Sequence, residues 1–253
     1  DNALISLSAN DDYFNFSLAT PEVDQKVYID WGNGTVLSYF SDDTKQIQIN
    51  SNFTYYNAGD IVNIYGTNIR HFWSINSAYI SYLDVSNCKS LELLRIPSCA
   101  ISSLDVSQNS ELEILDCSNS NLSEIDVSQN AKLKTLECEN NKLTFETLPK
   151  VNLNYYSYSP QSNFDAPYAI GIVNLSDQFL GSNANGETYP TVFYWSTESG
   201  DPLISGVDYI ASNGVFYFQR IPASRVYCVL TNEAFPDLTL KSNPITIDAV
   251  GGM

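Results

Sequence analysis

The sequence predicts a mostly β protein in which a short solenoid of 21-residue coils lies between two β-sandwiches. Three observations predict this class. A tripeptide and its neighbouring apolar residues recur at a fixed spacing in the middle of the 253-residue chain. Both flanks alternate apolar with polar residues, which is the period of a strand. Tyr (17) and Phe (12) are abundant, and aromatic side chains favour a pleated sheet.

The tripeptide Asp-Val-Ser occurs three times, beginning at Asp84, Asp105 and Asp126, and so recurs with a 21-residue period. Four sets of apolar residues have the same period: Leu91, Leu112 and Leu133; Leu94, Leu115 and Leu136; Ile96, Cys117 and Cys138; Ile101, Leu122 and Leu143. Such a shared period predicts a solenoid, because each coil is one unit that must stack on the next to bury its core.

The frame of the repeat is L-x-x-L-x-L-x-x-N/C-x-L. One copy consists of Leu91, Leu94, Ile96, Cys99 and Ile101, and another of Leu133, Leu136, Cys138, Asn141 and Leu143. The middle copy has Ser120 at the polar position. In these residues the chain resembles the leucine-rich-repeat family. A degenerate fourth coil is predicted at Trp73, Ile75, Ala78, Ile80 and Leu83.

The period also predicts the direction of each side chain. Residues two apart on a strand share a face, so Leu94 with Ile96, and the matching pairs in the next coils, should point inward. The valines of Asp-Val-Ser should also be buried, while the Asp and Ser side chains close local turns. A calcium ladder along the three aspartates is disfavoured, because single carboxylates one full period apart lack the clustered oxygens that calcium requires.

Outward strand positions should line a concave face. The first predicted row contains Phe72, Leu93, Ile114 and Thr135, and the second contains Ser74, Arg95, Asp116 and Glu137. The first row is an apolar ladder facing solvent unless a neighbouring domain covers it. Four or five short strands at ~4.8 Å make a face of roughly 200–350 Å². A stable protein interface needs about 800 Å² per partner, so this face suits a short peptide or glycan, or the repeat is a spacer.

Residues 1–60 are predicted to form the first sandwich. The strand period appears at Ile5–Leu7, Phe14–Leu18, Val27–Ile29 and Ile47–Ile49. Asp-Trp-Gly-Asn-Gly follows one of these strands, and its Asn33-Gly34 pair predicts a tight turn with positive φ at both residues. This loop resembles the W/F-G-D-G turn of PKD-type immunoglobulin-like modules, with Asn33 where that family usually has Asp.

After the solenoid, assigned to residues 61–150, residues 151–164 lose the period and are predicted to be a cap and linker. Residues 165–253 again read as strands, with candidates at positions 192–195, 207–210, 215–218, 226–230 and 245–247. Their spacing resembles an immunoglobulin-like sandwich, in which Trp195 would be a core residue. No other Cys is placed to pair with Cys228 as that fold's first cysteine would.

Taken together, the three regions resemble exported leucine-rich-repeat surface proteins of the Bacteroidetes type, loosely described as adhesin-like. That resemblance implies an extracellular or cell-surface protein, lipid-anchored through a removed N-terminal segment, with the periplasm as an alternative. The chain begins at Asp1 without a Met, which is compatible with the removal of an export segment.

The net charge and the number of cysteines limit the classes of partner and ligand. A net charge of -17 disfavours nucleic acid and anionic lipid, and apolar runs are too short to cross a membrane. Five cysteines is an odd number, and none of them forms a C-x2-4-C pair. We interpret them as small buried hydrophobic residues rather than disulfides or zinc ligands.

Catalysis is not expected, and neither a cofactor nor a metal is predicted. His71 is the only His, so any Ser-His-Asp or Cys-His set would need it. A glycosidase needs only two carboxylates, but short coils rarely form the deep cleft required.

The sequence therefore predicts a non-catalytic, monomeric adhesion or binding module that recognises a protein, peptide or glycan at the cell surface. The residues predicted to bind are Phe72, Leu93, Arg95, Ile114, Asp116, Thr135 and Glu137. The alternatives are a structural spacer in a larger surface assembly, or a carbohydrate-binding accessory protein that uses exposed aromatic residues of the C-terminal sandwich.

Overall fold

The structure, a computed structural model, describes residues 2–9, 15–50, 60–66, 68–75, 80–222 and 224–248. These residues are mostly β, as predicted, and they include no helix long and apolar enough to span a membrane. The chain divides into two compact units. The first contains residues 1–141 and 152–157, and the second contains residues 142–151 and 158–253.

The first unit contains twelve strands within the described residues. They are β1 (Ile5–Ala9), β2 (Asn15–Ala19), β3 (Lys26–Asp30), β4 (Val36–Phe40), β5 (Gln46–Asn50), β6 (Val62–Tyr65), β7 (His71–Ile75), β8 (Ile80–Asp84), β9 (Leu93–Arg95), β10 (Ile114–Asp116), β11 (Thr135–Glu137) and β12 (Tyr155–Ser157).

These strands form two sheets. One has five strands in the order β4-β3-β6-β1-β8, and every pair in it is antiparallel. The other has seven strands in the order β12-β11-β10-β9-β7-β2-β5. Its first five strands are parallel, whereas β7, β2 and β5 pair antiparallel. The solenoid sheet therefore continues without a break into strands from the N-terminal region.

The inward column of the solenoid is confirmed. Leu94, Leu115 and Leu136 lie directly opposite one another on β9, β10 and β11, and all three are fully buried. This alignment is the result expected if the repeat period equals one coil, because a slip of one residue would turn each side chain to the other face.

The return path of each coil also follows the prediction. Val85, Val106 and Val127 are buried. Each preceding Asp accepts a hydrogen bond from the backbone N–H of the Ser two residues later, at 2.8 Å in all three coils. This geometry is an Asx turn, in which the short acidic side chain replaces a backbone turn partner.

Phe72 does not lie on the concave face, so its predicted place in the first outward row is wrong. It lies opposite the inward residue Leu94, is fully buried, and stacks on Phe16 with ring centroids 5.5 Å apart. Phe72 and Leu94 are separated by one position more than the repeat period, so the face reverses. His71 takes the place opposite Leu93. Trp73, and not Ser74 as predicted, lies opposite Arg95.

The degenerate fourth coil is also replaced by other pairings. Strand β8 contains Ile80 and Leu83 and pairs antiparallel with β1 instead of continuing a coil; Ala78 lies outside the described residues. The predicted boundary at residue 60 falls within a set of paired strands, because β6 also pairs with β1 and β3. The five-stranded sheet is complete only with strands from beyond residue 60.

The N-terminal hairpin is present, but its turn differs from the prediction. The residues with positive φ are Gly32 (82°) and Gly34 (86°), and Asn33 instead accepts a hydrogen bond from the N–H of Thr35 at 3.0 Å. A Cβ on Gly32 would approach the carbonyl oxygen of Ile61 to 2.7 Å, so both space and backbone conformation require glycine there. Phe14, predicted to begin a strand, lies outside the described residues.

The second unit contains nine strands and one short 3-10 helix within the described residues. They are β13 (Tyr168–Ala169), β14 (Ile172–Asn174), the helix (Ser176–Gln178), β15 (Leu180–Ser182), β16 (Thr188–Pro190), β17 (Val192–Thr197), β18 (Tyr209–Ser212), β19 (Val215–Phe218), β20 (Val226–Thr231) and β21 (Thr239–Lys241).

Two sheets of this unit contact each other through Trp195. One has the order β13-β14-β19-β18 and the other β17-β20-β21. The Trp195 ring, which is buried, lies 5.2 Å from the rings of both Phe216 and Phe218 across this core. Trp195 is therefore a core residue, as predicted. The segment predicted as a strand at 245–247 contributes only an isolated bridge between Ile245 and Val226.

Candidate functional site

The concave face is formed by the outward side chains of the parallel strands. On β9, β10 and β11 the middle Leu points in, and the flanking residues belong to the outward rows. The outward row that we call the apolar row consists of Leu93, Ile114 and Thr135, each directly opposite the next. All three are half-buried, so they are accessible from the concave side. These three predicted site residues are therefore brought together.

The apolar row extends further than the repeat. Strand β12 stacks in parallel on β11 and places Tyr155, which is 54% exposed, opposite Thr135. At the other end, His71 lies opposite Leu93. The segment 151–164, predicted as a cap and linker, thus contributes a fifth parallel strand. Its strand begins one position short of a full period after β11 and carries Tyr-Tyr-Ser instead of a leucine pattern, so the period could not reveal it.

The second outward row, which we call the charged row, contains Arg95, Asp116 and Glu137 directly opposite one another. Arg95 is exposed, whereas Asp116 is only 8% exposed. Asp116 accepts two hydrogen bonds from Ser118, from its N–H at 3.1 Å and from its Oγ at 2.7 Å. These bonds orient the buried carboxylate and compensate part of its lost hydration.

Negative charge accumulates at the β11 end of the charged row. Partial burial raises the pKa of Glu137, the nearby Asp116 carboxylate raises it further, and Arg95 acts in the opposite direction. The cause is that the charged form of Glu137 loses hydration beside a like charge. A positive group placed against this end by a partner would stabilise both carboxylates.

Ion pairs border the apolar row on its other side. Arg70 lies 3.4 Å from Glu92, and Lys134 lies 2.7 Å from Glu113. Glu92, Glu113 and Lys134 occupy one position of the repeat, so the second pair links two adjacent coils. These side chains are substantially exposed, so each pair contributes little to stability. The apolar row therefore lies between two charged borders.

Two buried asparagines were missed in the sequence. Asn109 donates from Nδ2 to the backbone oxygens of Val85 and Cys88, both at 2.9 Å, and Asn130 makes the same bonds one coil later. Asn141, at the position predicted to be polar, bonds the carbonyls of Cys117 and Cys138. The signal was present, since Asn109 and Asn130 are one period apart, in step with Asp-Val-Ser.

The cysteines do not form a reactive site. All five are free and buried, as predicted. Burial raises the pKa of Cys88 and Cys138 to about 12 and that of Cys99 to about 11, and it raises the pKa of Cys117 and Cys228 well above the ordinary value. Because the thiolate is the reactive form, these thiols are poor nucleophiles at neutral pH.

His71 is half-buried at the start of β7. Its Nε2 lies 3.9 Å from Oε2 of Glu92, and burial lowers the pKa of His71. The described part of the chain contains no group of three His, Cys, Asp or Glu side chains placed to hold a metal.

Comparison with known proteins supports the repeat. Residues 44–163 match the family described as At1g61320/AtMIF1, LRR domain. With the stacked register of β9, β10 and β11, the match supports the leucine-rich repeat predicted for the middle of the chain. No curated protein matches the chain.

A solved structure described as "Functional domain of InlJ from Listeria monocytogenes includes a cysteine ladder" is similar to the chain at 16% identity and a TM-score of 0.40. The similarity covers 65% of this chain and 40% of that one. The similarity therefore spans less than half the length of that solved chain.

Proposed function

We propose that the chain is a non-catalytic binding module whose leucine-rich repeat holds a segment of a partner protein on its concave face. The observation that carries this proposal is the accessible apolar row, Leu93, Ile114 and Thr135, held in register between two charged borders. Accessible apolar side chains in one row are typical of a contact surface, whereas scattered ones are not.

The size of the face limits the partner segment. With His71 and Tyr155 at its two ends, the apolar row crosses five parallel strands at ~4.8 Å and is about 19 Å long, which matches roughly six residues of extended chain at ~3.3 Å each. The charged row defines its chemistry. A Lys or Arg of the partner would face Asp116 and Glu137, and an acidic residue would face Arg95.

A peptide selection tests the proposal. Random dodecapeptides displayed on phage would be selected on the folded chain and measured by titration calorimetry. We expect Ile114→Asp to weaken binding at least tenfold, because it places a charge in the apolar row. The control Gln108→Asp adds the same charge on an exposed residue of the return path and should leave binding unchanged. Equal loss in both variants, or in neither, would reject this site.

We further propose that residues 1–60 belong to a PKD-like sandwich and that the second unit is an immunoglobulin-like one. The chain would be carried at the surface of a Bacteroidetes-type cell. The hairpin between β3 and β4 and the Trp195 core support this assignment. Attachment through a lipid anchor would be compatible with the acidic charge, which keeps the chain itself away from anionic lipid.

A further inference from the structure

A second candidate surface lies on the outward face of the five-stranded sheet. Along β3, Val27 and Ile29 are fully buried, whereas Tyr28 between them is 43% exposed. Strand β6 alternates in the same way, with Asn63 and Tyr65 directed outward. The sheet therefore has one apolar core face and one accessible face, and the accessible face carries aromatic rings.

Three rings of this face lie on the neighbouring strands β4, β3 and β6. Phe40 on β4 is 58% exposed, and Tyr65 lies directly opposite Tyr28. The Nζ of Lys26 lies 4.6 Å from the ring centroid of Tyr28 and 5.5 Å from that of Phe40. The Lys26 ammonium thus contacts both rings, and both rings remain exposed.

A polar pair lies two residues further along the same strands. Asp30 and Asn63 are directly opposite each other on β3 and β6. Asp30 accepts a hydrogen bond through Oδ1 from the N–H of Gly32 at 3.0 Å, and Asn63 accepts one through Oδ1 from Ser6 at 2.7 Å. In each side chain, the Oδ1 atom is thus held by a hydrogen bond. Asp30 Oδ2 remains as an acceptor and Asn63 Nδ2 as a donor.

This combination matches the chemistry of a sugar. A hexose ring offers an apolar C–H face that packs on an aromatic ring, and edge hydroxyls that both donate and accept. The polar pair lies one two-residue step, ~6.6 Å, from the row of Tyr28 and Tyr65. A net charge of -17 disfavours an acidic polysaccharide, and the Lys26 ammonium is already placed over two rings.

We propose that this face binds a neutral, extended oligosaccharide of β-linked hexoses with equatorial hydroxyls. Its C–H faces pack on Phe40, Tyr28 and Tyr65. A hydroxyl at the edge of one ring donates to Asp30 Oδ2, and a neighbouring one accepts from Asn63 Nδ2. Because the face is open rather than a pocket, the dissociation constant should be on the order of 1 mM.

The probe is cellohexaose, the β-1,4-linked glucose hexasaccharide, titrated calorimetrically into the full chain. Tyr28→Leu and Phe40→Leu keep apolar bulk but remove the ring, and each should weaken binding about tenfold. Asn63→Leu removes the donor and should do the same. Tyr217→Leu removes an equally exposed ring from another sheet, so it is the matched control and should bind normally. Thermal unfolding of every variant verifies that it is folded.

Two further ligands define the chemistry. Maltohexaose, whose α-linkages coil the chain, and the acidic hexamer of galacturonic acid should both bind at least tenfold more weakly than cellohexaose. The proposal is overturned if cellohexaose produces no heat, if either comparison ligand binds equally well, or if Tyr28→Leu and Phe40→Leu leave its affinity unchanged. Ile114→Asp should bind cellohexaose normally, so this site and the concave face are tested independently.

Discussion

The solenoid strands and the N-terminal strands belong to one seven-stranded sheet, yet they are organised in different ways. Strands β9, β10 and β11 are parallel, equal in length and spaced by one constant period. Strands β7, β2 and β5 are antiparallel and follow no period. At the junction, a single additional residue turns Phe72 into the core, whereas Leu93 lies on the concave face. A repeat period therefore predicts which face a residue occupies only where the period is unbroken.

The largest effect should come from the inward column. Leu115→Ala removes a fully buried side chain in the central coil and should lower the free energy of unfolding by about 2–5 kcal/mol. Its neighbour Ile114 is half-buried, so Ile114→Ala should cost less than half as much. Urea denaturation measures both. Equal costs would contradict the alternation of inward and outward residues.

The buried asparagines should show the next largest effect. Asn130→Ala leaves the carbonyls of Val106 and Asn109 without this donor and should cost about 2–3 kcal/mol. The exposed neighbour Gln129 is the control, and Gln129→Ala should change stability by less than about 0.5 kcal/mol. A small cost for Asn130→Ala would mean that the asparagine does not join the coils.

A smaller, stabilising effect is expected at Ser98. Each coil has a residue with positive φ at the same position of the repeat, namely Ser98 (61°), Asn119 (56°) and Asn140 (55°). Asn tolerates this conformation better than Ser, so Ser98→Asn should raise the free energy of unfolding by about 0.5 kcal/mol. The reverse change, Asn119→Ser, should lower it by a similar amount, and thermal denaturation would detect both.

The smallest effect concerns the pH dependence of the charged row. Because the folded-state pKa of Glu137 lies above its ordinary 4.5, its carboxylate destabilises the fold at pH above both values, and this penalty disappears below 4.5. Glu137→Gln should therefore be slightly more stable than the wild type at pH 7 and equal to it at pH 4, as urea denaturation at the two pH values would show. The pKa shift of Asp105 has the opposite sign.

The hydrogen bonds from Ser107 lower the pKa of Asp105 below 3.8, so its contribution is present at neutral pH and is lost as pH falls through the folded value. Asp105→Asn should accordingly be no more stable than the wild type at pH 7. A stabilising effect of this substitution would show that the Asx turn gains nothing from the charge.

Much of the repeat could be predicted from the sequence because its physical constraint is local and periodic. Leu94, Leu115 and Leu136 must stack, and Asp105 must close its own turn, whatever surrounds them. The accessible positions of Thr135 and Glu137 follow from the same alternation.

The remainder depends on partners distant in the sequence. Phe72 is buried because Phe16 lies against it, and Tyr155 joins the concave face because β12 pairs with β11. Neither contact produces a periodic pattern in the sequence. The two asparagines, Asn109 and Asn130, were in step with the repeat, but the side chain's role in joining coils appears only when the adjacent carbonyls are in place.

If one coil equals one period of the repeat, Leu93 and Thr135 lie two strands apart in a single row. Spin labels on Leu93→Cys and Thr135→Cys measure this directly, since the native thiols are buried and should not be labelled. We expect strong dipolar broadening, because the two Cα atoms are about 10 Å apart. Spectra equal to the sum of the two single-label spectra would contradict it.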